Sequence, residues 1–293
     1  MSKTQTLAQG VLIGLCLLST CHLFSQYGYF FGAGGRATGL GGSALLLEGP
    51  EALFSNQAGL ASISSPAGSV VAENRFMLQE LNLYGGALAL PTRYGNLGIS
   101  VQQFGIKQIR EQKIGLAYAH MLTEGLSVGG QVNWLNTSIQ EYGSISMVTF
   151  EFGIQSQILD KVKVGAHIYN PIRASRHSDG NYKTPTVLRL GMTYQPNDKL
   201  LWALEVEKNM WMPTRLRTGL EYHFIDPVYF RAGVATNPST VYMGLGYEVS
   251  KQFSIDAACS YHTVLGITPS INVTYNFKDR KRNNPAPNFA LLQ

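Results

Sequence analysis

The 293-residue chain carries a formal net charge of +5, with 45% hydrophobic and only 14% charged residues, 31 glycines and 15 tyrosines. Beyond its N-terminus it has no run of apolar residues long enough for a membrane helix, which excludes transmembrane helices from the rest of the chain. Lys278-Asp279-Arg280-Lys281-Arg282 alone supplies +3 of the charge, so the remainder is nearly neutral and nucleic-acid binding has no support.

Residues 1–25 have Lys3, then the apolar run Val11–Leu18, then Ser19-Thr20-Cys21-His22-Leu23-Phe24-Ser25. This reads as a secretory signal peptide cleaved after Ser25. The run is too short for a comfortable membrane anchor, and Thr20 before Cys21 fits a lipoprotein signal poorly. Removing the signal takes away Lys3, leaving +4, and leaves Cys259 as the single cysteine, so no intramolecular disulfide can form.

Residues 26–66 include Gly32–Leu60, GAGGRATGLGGSALLLEGPEALFSNQAGL, rich in glycine and alanine. It shows no sustained period of two, and Pro50 suits the first turn of a short helix over about Pro50–Asn56. The expectation is a compact segment of loop and short helix that folds into a barrel as a plug, with glycines allowing backbone to approach backbone.

From residue 67 to 277 fourteen strands are expected, near 68–77, 80–91, 94–105, 110–121, 125–137, 144–158, 161–170, 184–195, 199–208, 213–224, 227–236, 240–249, 252–262 and 267–277. Alternation is clean in several. Leu126, Val128, Gly130, Val132 and Trp134 oppose Ser127, Gly129, Gln131 and Asn133, while Val148, Phe150, Phe152 and Ile154 oppose Thr149, Glu151, Gly153 and Gln155. Leu81–Leu90 gives no clear facing. The strands exceed the soluble mode of ~5–6 residues and match the ~9–11 that cross a bilayer at a tilt. Tyr94, Phe104, Tyr142, Tyr169, Tyr182, Trp202, Trp211, Tyr222, Phe224, Tyr261, Tyr275 and Phe277 fall near strand ends, as in an interfacial girdle. A soluble β-sandwich is the alternative.

Connections alternate between short (Thr123-Glu124-Gly125, Asp160-Lys161, Ile225-Asp226-Pro227) and longer (Ser138–Gly143, Pro171–Lys183), while the first, near Met77–Gln79, is expected to be short. This is the periplasmic-turn, outer-loop arrangement. The expected fold is therefore an all-β, 14-stranded antiparallel transmembrane β-barrel with an N-terminal plug. Closure satisfies every backbone group in lipid, and fourteen strands leave a lumen for the plug to fill.

The stretches R-A-T-G-L-G-G-S-A and E-A-L-F-S-N-Q-A-G-L-A resemble the start of the FadL-like outer-membrane proteins, in particular the PorV/PorQ branch associated with type IX secretion. Arg36, Gly39, Gly41, Gly42, Asn56, Ala58, Gly59 and Leu60 match the pattern; Gln57 stands where the family has proline. The motif's plainest meaning is tight packing of the plug. The resemblance implies a bacterial outer-membrane barrel, either an accessory or anchoring component of protein secretion or a FadL-like passive channel for hydrophobic small molecules. For the second, Leu45, Leu46, Leu47, Leu53 and Phe54 are candidate pocket material.

On the lumen face, signs alternate between neighbouring strands: Glu151, then Arg189, Glu205 and Glu207, Arg215 and Arg217, Glu221 and Arg231. Such a ladder either pairs within the wall, since unpaired charges in a narrow lumen are costly, or guides a solute. Lys163, His223, Glu248 and Asp256 share that face. His120, His167, His177, His223 and His262 are scattered with no nucleophile motif, so no enzyme is expected. No metal-ligand spacing and no phosphate cradle occur, so no catalytic, metal or cofactor site is assigned. Expected partners are outer-membrane lipid and a secretion-system or periplasmic protein, reached through the outer loops or the basic periplasmic tail, residues 278–293.

Overall fold

The computed structural model describes residues 34–174 and 184–277. The expected signal peptide, residues 26–33, most of the 171–183 loop and the 278–293 tail lie outside the described residues.

Fourteen antiparallel strands close into one barrel. They are β1 (Ala67–Asn74), β2 (Asn82–Thr92), β3 (Gly95–Gly105), β4 (Ile109–Thr123), β5 (Leu126–Ile139), β6 (Gly143–Leu159), β7 (Val162–Tyr169), β8 (Val187–Asn197), β9 (Leu200–Asn209), β10 (Arg215–Ile225), β11 (Val228–Ala235), β12 (Thr240–Glu248), β13 (Phe253–His262) and β14 (Gly266–Asn276). Each pairs with its chain neighbours, and β1 closes the sheet on β14 from Ala67↔Asn276 to Glu73↔Ser270. No strand is left with an unpaired edge, as the hydrocarbon layer requires.

The two faces differ as alternation demands. On β5 and β6, Val132, Trp134, Val148, Phe152 and Ile154 are exposed, while Gln131, Asn133, Thr149, Glu151 and Gln155 are buried. Outward apolar side chains on a closed barrel form the band that meets lipid. Tyr94, Tyr142, Trp202, Trp211, Tyr222, Phe224, Tyr261, Tyr275 and Phe277 are exposed around it. Tyr169 departs from the expected girdle: it is fully buried, with the Lys113 ammonium 5.3 Å from its ring centre. Phe104 is only partly buried and lies under the Arg75 guanidinium at 5.1 Å.

One end has tight connections at 93–94, 124–125, 160–161, 198–199 and 226–227. Register shifts fall beside four of these turns, between Met121/Thr123, Gln157/Leu159, Tyr194/Asn197 and His223/Ile225. The first connection at the opposite end is longer than the sequence suggests. β1 stops at Asn74 because Phe76 and Met77 take φ of 57° and 59°, which no strand can continue. Two 3₁₀ turns, Arg75–Met77 and Gln79–Leu81, fill the gap, and Phe76 N donates to Thr268 Oγ1 at 3.0 Å.

Candidate functional site

Residues 34–63 run through the lumen and touch strands on every side. A short helix α1 (Gly35–Gly39) lies against β11–β14, and two 3₁₀ turns, Pro50–Phe54 and Gln57–Ser62, lie against β1–β6. The helix sits in the glycine-rich part, where none was expected. The expected helix over Pro50–Asn56 ends at Phe54, because Asn56 leaves it to cap the next turn, accepting from Ala58 N at 3.1 Å.

The wall makes room with glycines. A Cβ at Gly219 would stand 2.3 Å from Leu40 O, at Gly233 2.4 Å from Gly41 N, and at Gly129 2.5 Å from the Gln57 carbonyl carbon. At Gly153 it would meet Asn56 Oδ1 at 1.8 Å, and the Asn56 amide donates to Ile154 O at 3.3 Å. The segment answers in kind. Gly39 packs on Gly244 and Arg231, a Cβ on Gly41 (φ 72°) would strike Thr218 O at 2.5 Å, and one on Gly59 would strike Leu47 O at 2.2 Å.

Three clusters of charge tie the segment to β4–β14. In the first, Arg36 grips Glu221 with Nε–Oε2 3.0 Å and Nη2–Oε1 2.9 Å, and its backbone N–H donates to Asn272 Oδ1 at 3.1 Å. Arg231 bridges the same Glu221 (2.6 Å) to Asp256 (2.6 Å). Asn272 Nδ2 and Thr274 Oγ1 donate to Glu51 Oε1 at 2.8 and 2.6 Å. Glu221 holds the Arg36 guanidinium even more firmly protonated than usual. Burial, and then Asp256, push the Glu51 carboxyl upward against the opposing pull of Thr274, Arg36 and Arg231.

In the second cluster Arg189 Nε and Arg217 Nη1 donate to Glu205 Oε1 at 2.8 and 2.9 Å, and Arg217 Nη2 to Glu207 Oε2 at 2.8 Å. The segment enters through Leu45 N, which donates to Glu205 Oε2 at 3.0 Å, and Gly42 O, which accepts from Arg217 Nη1 at 3.2 Å. In the third, Glu151 accepts from Lys113 (2.5 Å), Asn133 (2.8 Å) and Gln57 (3.0 Å), with His167 Nε2 at 3.1 Å. Gln57, the departure from the family pattern, thus supplies a side-chain donor that proline lacks. Glu48 pairs with Lys163. Arg215, at the far end of β10, donates to Tyr242 OH at 2.9 Å, and Glu248 accepts from Tyr229 OH at 3.0 Å.

The opposite side is apolar. Leu53, Phe54 and Leu60 pack on Val71, Leu83, Ala87, Ala89, Ala117 and Ala119. Leu45, Leu46 and Leu47 are also buried in packing, so all five leucine and phenylalanine pocket candidates are occupied by the wall and by one another. Sequence reasoning did not find the wall glycines, Lys113, Asn272 or Glu51. The interior thus joins one apolar side to a charge-paired remainder, and among the described residues no group of three or more His, Cys, Asp or Glu side chains is arranged to hold a metal.

No family model matches the chain, and no curated protein matches it. Solved structures do. The CymD monoaromatic hydrocarbon channel superposes with a TM-score of 0.68 at 14% identity, over 86% of this chain and 99% of that one. The toluene transporter TbuX of Ralstonia pickettii gives 0.68 at 14%, over 85% and 99%. A FadL homologue of Pseudomonas aeruginosa gives 0.64 at 15%, over 84% and 98%. At such identities the likeness is one of fold: the chain shares the barrel architecture of these proteins along nearly their whole length.

Proposed function

We propose that the protein is a non-enzymatic outer-membrane barrel that passes small hydrophobic molecules, with residues 34–63 as the plug that closes it. The observation that carries this reading is the apolar side of the interior, where Leu53, Phe54 and Leu60 cover apolar side chains on β1, β2 and β4. Any movement of those three exposes a strip that suits a hydrocarbon and rejects a polar solute. The shared fold with channels for monoaromatic hydrocarbons and toluene supports the same reading. The test is uptake of labelled toluene by intact cells with and without the gene, since their outer membrane is the barrier. Equal uptake overturns it.

A second reading is an accessory or anchoring component of type IX protein secretion, PorV/PorQ-like, with a secretion-system or periplasmic partner on the outer loops or the tail. It is favoured by the extent of ion pairing in the lumen and by the unbroken pairing of the wall. Deleting the gene and cataloguing exported proteins tests it; unchanged export and surface attachment count against it.

A further inference from the structure

Phe54 is the only aromatic residue in the sequence of the inner segment, residues 34–63, and it is fully buried. Its ring enters a hollow that Gly85 opens in the wall. A Cβ on Gly85 would stand 3.3 Å from Phe54 Cζ, 2.8 Å from Val71 Cγ2 and 3.4 Å from Gln102 Cγ. Register makes the hollow: Val71, Gly85 and Gln102 stand side by side across β1, β2 and β3, and only the middle one lacks a side chain.

Gln102 is out of keeping with the apolar packing beside it. It is 1% exposed, and its Nε2 has no hydrogen-bond partner among the described residues. A buried amide donor left unmade is costly, and a phenyl ring offers it at best a weak N–H···π contact. Val71 and Leu83 of the same cluster are apolar, and Lys113, next to Gln102 across β3–β4, is held by Glu151. The turn that bears Phe54 starts at Gly49 (φ 103°), where a Cβ would meet nothing within 4 Å.

We propose that the place now filled by the Phe54 ring is a binding site for one neutral aromatic molecule carrying a hydrogen-bond acceptor, an aryl ketone being the simplest. The ligand's ring takes the hollow over Gly85 when Phe54 swings out, and its oxygen accepts from Gln102 Nε2. The inference rests on the passage of hydrophobic molecules proposed above and narrows it to a class. Phe54 is then an internal stand-in for the ligand, matching its ring but lacking the acceptor. A ligand that supplies both recovers the packing and satisfies the donor that Phe54 leaves unmade.

Photolabelling of the purified full-length barrel with 4-azidoacetophenone tests this, with labelled peptides identified by mass spectrometry. Label is expected on the peptides that contain Val71, Gly85 and Gln102. At equal free concentration, acetophenone should displace it about fivefold better than ethylbenzene, which has the same shape without the acceptor. Gln102→Met keeps the bulk, should melt no lower than the parent, and should remove that preference while leaving displacement by ethylbenzene unchanged. Phe54→Ala withdraws the competing ring and should raise labelling severalfold. Heat-modifiable gel migration confirms that each variant is a folded barrel. Label confined to the outer wall, equal displacement by the two competitors in the parent, or a preference untouched by Gln102→Met would each overturn the proposal. Labelling as expected in a barrel that admits no toluene would uphold the site and remove the passage reading; toluene uptake with label elsewhere would do the reverse.

Discussion

Arg36 and Glu221 stand 185 positions apart in the chain and meet in the lumen through two charge-assisted hydrogen bonds of 3.0 and 2.9 Å. The contact links helix α1 to β10, and Glu221 passes it on through Arg231 to Asp256 on β13. One carboxylate therefore fixes the first turn of the inner segment to the wall.

Removing one partner leaves the other charged, largely buried and underpaired. Arg36→Ala is expected to cost about 3 kcal/mol, and Arg36→Lys less, because the charge survives while the fork geometry is lost. Thermal unfolding in detergent, read by heat-modifiable migration, checks the order. The double variant Arg36→Met/Glu221→Met should fall by less than the two single losses combined; strict additivity would mean that the pair is not coupled.

Substituting a wall glycine acts by displacement. Gly219→Val puts side-chain atoms where Leu40 O now lies, so the inner segment must leave its seat while β10 can keep its ladder. Limited proteolysis should then cut within residues 34–63 of a barrel that still migrates as folded. Gly86→Ala, with open space around it, should leave the segment as protected as in the parent.

Glu51 sets a pH dependence of definite sign. Its carboxyl titrates above the ordinary 4.5 because burial and Asp256 oppose its charge. The folded state thus binds a proton more tightly than the unfolded one. The resulting stabilisation is full below about 4.5 and is lost as pH rises through the folded value. Glu51→Gln removes the penalty, so at pH 8 the variant should melt higher than the parent, with the gap closing on acidification. A gap that widens toward low pH would reverse the assignment.

Phe54 is fully buried in the apolar side of the interior, and Phe54→Ala is expected to destabilise the packing there by about 3 kcal/mol or more. If Phe54 obstructs a hydrocarbon path, the same variant should raise toluene uptake by intact cells while leaving uptake of a polar sugar unchanged. A loss of stability with no change in uptake would make Phe54 packing alone.

The strands were legible because a membrane barrel writes its two environments into alternate residues. Gln131 and Asn133 against Val132 and Trp134 needed nothing else. β2 was not, and the reason is physical: its inward Leu83, Ala87 and Ala89 pack on Leu53, Phe54 and Leu60, so both faces are apolar and the period vanishes. Tyr169 sits at a strand end like a girdle residue but turns inward, which end position cannot reveal. Charge alternation on neighbouring strands was visible in the sequence, and it is the register of β8, β9 and β10 that joins Arg189 to Glu205 and Arg217 to Glu207. Arg36–Glu221, Gln57–Glu151 and Asn56 at Gly153 join residues with no local relation in the sequence, and only the folded segment makes them neighbours.

The most direct measurement is toluene uptake by intact cells carrying the parent barrel, Gly219→Val or no barrel, at matched outer-membrane levels. If residues 34–63 close a path for hydrophobic molecules, uptake rises from no barrel to parent to Gly219→Val, and polar solutes remain excluded throughout. Identical uptake in all three strains would show that no such path exists and that the barrel serves another end.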